Sequence, residues 1–123
     1  MILKLDFTGE LPIYQQIRNQ IVMGIASGQL QAGEKLPTIR TLADEMGINM
    51  MTVSKAYQLL KQEGHITTDR RGGTIISAQR AGRISQAVLE GLRLHLCELR
   101  LAGVSKTEAL QLCGELFDEE GKE

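Results

Sequence analysis

Two stretches of helical periodicity separated by only three residues constrain this chain more than any other feature. The first is expected to begin near Thr38 and sets Ile39, Leu42, Ala43 and Met46 on one face at the 3.6-residue period. Gly47 follows as a residue free to take positive φ and end a helix. Asn49 suits the N-cap of the second stretch, where Val53, Ala56, Tyr57 and Leu60 form the matching apolar stripe before Gly64. So short a connection makes the helices cross with their stripes facing, which predicts a helix-turn-helix. Met51, Thr52, Ser54, Lys55 and Gln58 then face away from the core, where the major groove of a duplex can meet them.

The flanking segments fit around that motif. Leu3 and Leu5 alternate with polar residues, so residues 2–7 read as an extended arm. Pro12 stands where a helix begins, since its missing N–H would be unpaired there anyway. Tyr14, Ile17, Ile21 and Ile25 mark the buried stripe of a first helix that Gly28 stops, and Leu30, Gly33 and Leu36 lead through a turn to a very short strand before Pro37. Beyond Gly64, His65 to Asp69 and Thr74 to Ala78 are expected to pair around Arg70, Arg71, Gly72 and Gly73. Both glycines are expected to supply the positive φ of a hairpin turn, and the β-branched Thr74, Ile75 and Ile76 suit a strand. Two arginines at the tip of such a wing have the chemistry to enter a narrow minor groove or to hold phosphates. The plainer alternative is a solvated hairpin whose charges prevent edge pairing.

From about Gly82 to Ala102 a long helix is expected, carrying Val88, Leu89, Leu92, Leu94, Leu96, Leu99 and Leu101 most of the way round its surface. Gly103 ends it, and Ser105 with Glu108 forms a capping box that opens a last helix with Leu110, Leu112, Leu116 and Phe117. Asp118, Glu119 and Glu120 make an acidic end expected to fray. Two helices cannot cover so many leucines within one hairpin, which predicts pairing with the same hairpin of a second chain. The fold class is therefore mainly α with a small β-hairpin wing: a winged helix-turn-helix over residues 1–78 and a two-helix dimerisation or effector region over 79–123. An appendage this small encloses little volume, so an effector pocket is expected only between chains.

Composition narrows the function classes. With 42% hydrophobic but only 3% aromatic residues among 123, aliphatic side chains must carry the core. No run of 18 apolar residues and no basic-then-apolar N-terminus occurs, which points to a cytoplasmic protein outside the membrane. The net charge of -1 argues against indiscriminate nucleic-acid binding. Its distribution matters more: residues 1–76 hold eight Lys and Arg against seven Asp and Glu, and residues 77–123 hold six against eight. A local basic patch on one domain binds weakly, so dimerisation is expected to be needed. Cys97 and Cys113 have no His or Cys neighbours at metal spacing and read as reduced, buried or half-buried thiols. Neither a metal nor a cofactor is expected. Gly72 and Gly73 are not a phosphate loop, because no G-x-x-x-x-G-K pattern precedes a helix, and His65 and His95 lack visible catalytic partners.

Several separated blocks carry a family resemblance. L-P-I-Y-Q-Q-I (11–17), G-Q-L-Q-A-G-E-K-L-P-T-I-R-T-L-A (28–43), T-V-S-K-A-Y-Q-L-L-K-Q-E-G (52–64) and G-G-T-I-I (72–76) resemble the winged-helix domain of the GntR family, and the short remainder looks like its YtrA subfamily. The resemblance implies a regulator that binds double-stranded DNA, not an enzyme, and a dimer whose two-fold symmetry demands an inverted-repeat operator. It implies repression of its own gene or of a transporter operon. It places DNA contacts at Arg40, at Asn49, Met50, Met51, Thr52 and Ser54, and at Arg70, Arg71 and Gly72, while the flexible charge of Lys55 adds to the same face. Arg40 offers bidentate donors for phosphate or guanine, with an ion pair to Asp44 as the alternative. Many relatives have Ser-Arg before the Thr-Val of the second helix, where this chain has Asn49 and Met50, followed by Met51. Methionine offers only apolar contact, such as to thymine methyl groups. The missing arginine leaves a winged-helix module that binds a protein and no DNA as the alternative function.

Overall fold

The computed structural model describes residues 3–78 and 84–120. The chain divides into two compact units, Met1–Gln79 and Arg80–Lys122.

The first unit contains α1 (Ile13–Ala26), α2 (Ile39–Met46), α3 (Met50–Gln62), β1 (Ile66–Thr68) and β2 (Thr74–Ile76). Local chemistry sets the helix-turn-helix. Thr38 Oγ1 accepts from the Thr41 N–H at 3.1 Å and so caps α2, and Asn49 Oδ1 accepts from the Met51 N–H at 2.7 Å and caps α3. Each such cap satisfies a donor that the first turn leaves unpaired and contributes about 1 kcal/mol. Gly47 closes α2 at φ +66°, a conformation that costs a residue with a Cβ roughly 1–2 kcal/mol.

Val53, Ala56, Tyr57 and Leu60, the whole predicted stripe of α3, are buried against Leu42 and Ala43 of α2 and Ile17 and Ile21 of α1 in one core. Leu30, Leu36, Ile66 and Ile76 complete it. The α1 stripe differs from expectation: Tyr14 and Ile25 are half-buried, while Gln16 and Gly24 are buried. Gly24 lies against Leu30, and the arm accounts for Gln16. Gln16 Nε2 donates to the carbonyls of Asp6 and Leu11 and its Oε1 accepts from the Asp6 N–H, each at 2.8 Å. One turn on, Gln20 makes the same pair of bonds to Lys4, at 2.9 and 2.6 Å. Two side-chain amides thus serve alternate arm residues as a neighbouring strand would, and Leu3 and Leu5 pack on the core.

The wing pairs antiparallel in the register Ile66↔Ile76, Thr67↔Ile75 and Thr68↔Thr74. The short strand expected before Pro37 is a single bridge, Lys35↔Ile75. It is extended by the Leu36 N–H bond to the Thr74 carbonyl and the Ile76 N–H bond to the Glu34 carbonyl, both at 2.9 Å.

The second unit is α4 (Gln86–Leu101) and α5 (Lys106–Glu120). α4 begins later than expected, because Ser85 Oγ accepts from the Val88 N–H at 3.1 Å and caps it there; the expected start at Gly82 lies outside the described residues. The predicted capping box opens α5, with Ser105 Oγ accepting from the Glu108 N–H and Glu108 Oε1 from the Ser105 N–H. The Ser105 backbone bond, then its hydroxyl, holds the Glu108 carboxyl below its ordinary range. α5 is helical through Asp118 and Glu119 to Glu120, and the chain end that follows lies outside the described residues. No described residue of this unit is buried, and Leu101 and Phe117 are 87% and 82% exposed. Cys97 and Cys113 are free and exposed, where burial was expected, because one hairpin has no second layer to cover them. Among the described residues no helix is long and apolar enough to cross a membrane.

Candidate nucleic-acid interface

Three elements of the first unit carry the expected contact residues. On α2, Arg40 is exposed and, among the described residues, makes no ion pair. The alternative pairing with Asp44 is absent, and the guanidinium keeps all its donors for another partner.

α3 buries its inner stripe and leaves its opening turn bare. Met50 and Met51 are 43% and 78% exposed, Thr52 and Ser54 are half-buried, and Lys55 and Gln58 are exposed. Asn49 spends its Oδ1 on the cap, which leaves its Nδ2 to donate. Lys55 is not the free charge expected from sequence. Its Nζ lies 4.1 Å from the centroid of the Tyr14 ring on α1, a cation–π contact that contributes about 0.5–1 kcal/mol at an exposed site.

At the wing tip one carboxylate organises the turn. Asp69 Oδ1 accepts from the Arg71 N–H at 2.9 Å and from the Gly73 N–H at 2.8 Å, and the Asp69 N–H donates to the Gly73 carbonyl at 2.8 Å. Gly72 has φ +84°, but Gly73 does not have positive φ, so one glycine meets that demand where two were expected. Gly73 instead lies against the carboxylate, and a Cβ there would stand at contact distance, 3.4 Å, from Asp69 Oδ1. Arg70 and Arg71 lie within this fixed turn and are exposed.

Two long-range contacts hold α3 in place. The buried Tyr57 hydroxyl donates to the Pro37 carbonyl at 2.8 Å, tying α3 to the segment before α2; burial pushes its pKa up to about 12. Arg18 on α1 pairs bidentately with Glu63 after α3, with both N–O distances 2.8 Å. Sequence reasoning missed Tyr14, Tyr57, Arg18 and Asp69 in these supporting roles. Only Asp69 had a local signal, since an Asp followed by glycines marks a turn closed by its own side chain. Among the described residues no group of His, Cys, Asp and Glu is arranged to hold a metal.

A helix-turn-helix with a bare opening turn on its second helix and a basic wing beside it defines a winged-helix DNA-binding regulator. Residues 13–76 match the family of bacterial regulatory proteins called gntR, and the chain belongs to that family. It is 31% identical over 109 residues to an HTH-type transcriptional regulator of Mycobacterium tuberculosis, covering 89% of this chain and 88% of that one. It is 42% identical over 76 residues to the HTH-type transcriptional repressor YtrA of Bacillus subtilis, covering 62% of this chain and 58% of that protein. The crystal structure of a transcriptional antiterminator from Listeria monocytogenes superposes with a TM-score of 0.85 at 34% identity, over 100% of this chain and 95% of that one. The DNA-binding domain of AraR, solved in complex with an operator, matches 63% of this chain and 99% of its own, with a TM-score of 0.54 at 28% identity. The chain is thus a DNA-binding transcription regulator of the YtrA branch of the family and not an enzyme.

Proposed function

We propose that this chain acts as a cytoplasmic, homodimeric repressor that binds an inverted-repeat operator upstream of its own gene or of a transporter operon. The observation that carries the reading is α3 itself, whose inner stripe is fully buried while Met50 and Met51 open it in solvent; in the same unit Arg40 is exposed with no ion pair among the described residues, and Arg70 and Arg71 are exposed at the wing tip. Residues 1–78 supply the DNA contacts. Arg40 meets phosphate or a guanine edge, Asn49 a phosphate, and Thr52 and Ser54 offer hydroxyls to backbone or base. Met50 and Met51 lie against thymine methyl groups, and Lys55, steadied on Tyr14, adds charge. Arg70, Arg71 and Gly72 approach the minor groove or its phosphates.

Residues 79–123 supply the dimer, because a hairpin with no buried residue among those described is not a finished structure. A two-fold dimer presents two α3 helices to related half-sites about one helical turn, or a multiple of it, apart. Likeness to the YtrA repressor supports repression. The test is a protection assay on the region upstream of its own gene. A footprint with two-fold symmetry is expected; uniform, sequence-independent protection, or none, defeats the reading.

A further inference from the structure

The hairpin encloses an open groove of about 410 Å³ lined by Leu96, Leu99 and Leu110 and flanked by Arg93, Arg100 and Lys106, with no carboxylate in its lining. None of these three cations has an ion pair among the described residues. The neighbouring acids are engaged elsewhere, Glu98 with His95 Nδ1 at 2.8 Å and Glu108 in the capping box.

Helical spacing orders the charges. Leu89, Leu92, Leu96 and Leu99 repeat at intervals of three and four on α4, and Arg93 and Arg100, seven apart, run along one edge of that stripe. On α5, Leu112 and Leu116 form the stripe, and Glu115 and Glu119, four apart, run along its edge. Among the described residues Glu115 meets only the Gln111 amide, at 3.3 Å, and Leu116 is half exposed. An apolar groove with a basic edge and an apolar ridge with an acidic edge therefore belong to the same chain, and among the described residues the two edges do not pair.

We propose that the groove of each chain receives the α5 ridge of a second copy, Leu112 and Leu116 entering the apolar floor while Glu115 and Glu119 face Arg93 and Arg100. This rests on the dimer reading above and names its interface. The arrangement is reciprocal, so a two-fold axis forms two identical contacts and closes the assembly as a dimer. The charged edges fix which ridge enters which groove, a role that flanking charges serve beside apolar helix seams. Cys97 and Cys113 line the same groove and become covered.

Two full-length charge-reversal variants test it: Arg93→Glu with Arg100→Glu, and Glu115→Lys with Glu119→Lys. Each places like charges at both contacts of its own dimer. By native mass spectrometry at micromolar concentration and low salt, each alone is expected to lose most of its dimer. A one-to-one mixture is expected to form the mixed dimer at wild-type level, because each contact then pairs opposite charges, with thiol-reagent labelling of Cys97 and Cys113 slowed at least several-fold relative to either variant alone. Helix content recovered on mixing separates a broken contact from a misfolded chain. Variants that dimerise like wild type, or a mixture that stays monomeric, overturn the interface while leaving the dimer reading intact; a monomeric wild-type chain overturns both.

Discussion

The two units of this chain treat their leucines in opposite ways. In the first, Leu30, Leu36, Leu42 and Leu60 lie in a core shared by three helices and a hairpin, with caps on α2 and α3 and long-range bonds through Tyr57 and Arg18. In the second, Leu92, Leu94, Leu101 and Leu116 are all exposed on two well-capped helices. Regular helices with sound caps are therefore no sign that a unit is complete. What separates the units is whether three or more elements converge on the same side chains.

Removing residues beyond Ala78 is expected to have the largest effect. The remaining unit should keep its helical content and its cooperative melting, yet be monomeric by light scattering. Its operator affinity should fall about 10²–10⁴-fold, because the second half-site no longer gains from an effectively intramolecular encounter. A truncated chain that still dimerises, or that unfolds, breaks the contrast between the units.

Next comes Leu60→Ala, which removes a fully buried side chain from the first unit. A loss of about 2–5 kcal/mol is expected, the same at every protein concentration in urea melts. Leu116→Ala should instead destabilise in proportion to dilution, since its effect is coupled to association. If both variants respond alike to concentration, the units are not distinct in kind.

Arg40→Ala should weaken binding to the specific site by about 1–3 kcal/mol if the guanidinium meets a guanine bidentately. Met50→Ala and Met51→Ala should mainly relax preference among A·T-containing sites, because a thioether has no donor for a base edge. Binding across a panel of single-base operator variants separates these outcomes. A flat panel for both methionine variants would move the reading surface to begin at Thr52.

The smallest effect is expected at the wing. Changing Arg70 and Arg71 together to Ala should lower the slope of log affinity against log salt by about 0.9 for each phosphate that a chain no longer neutralises, with little change in base preference. An unchanged slope would return the wing to a solvated hairpin whose charges only guard its edge.

Most of the first unit was legible because its signals are local. Periodicity gave the α3 stripe residue by residue, a helix start was expected near Thr38 and Asn49 was a recognisable cap; in the second unit Ser105 with Glu108 spelled the box that opens α5 in the same local way. Family resemblance singled out Arg40, the hairpin turn itself already marked the wing arginines, and the structure shows all three exposed on the surface of the first unit. Contacts between residues distant in sequence left no such mark. Nothing near Lys55 announces Tyr14, nothing near Asp6 or Lys4 announces Gln16 and Gln20, and an Arg18–Glu63 pair looks like any two surface charges until α1 crosses the end of α3.

The sequence by itself determined where α2, α3 and α5 begin, which faces of α2 and α3 are apolar, and that the last two helices carry more leucine than one hairpin can bury, because these follow from φ preference, capping and side-chain period within a few residues. Only the tertiary structure decided that Asp69 and a single positive-φ glycine shape the wing tip, that Lys55 rests on an aromatic ring, and that Arg40 escapes Asp44. It alone showed that Cys97 and Cys113 stand exposed. These outcomes depend on how elements from different parts of the chain approach one another, which no short-range preference encodes.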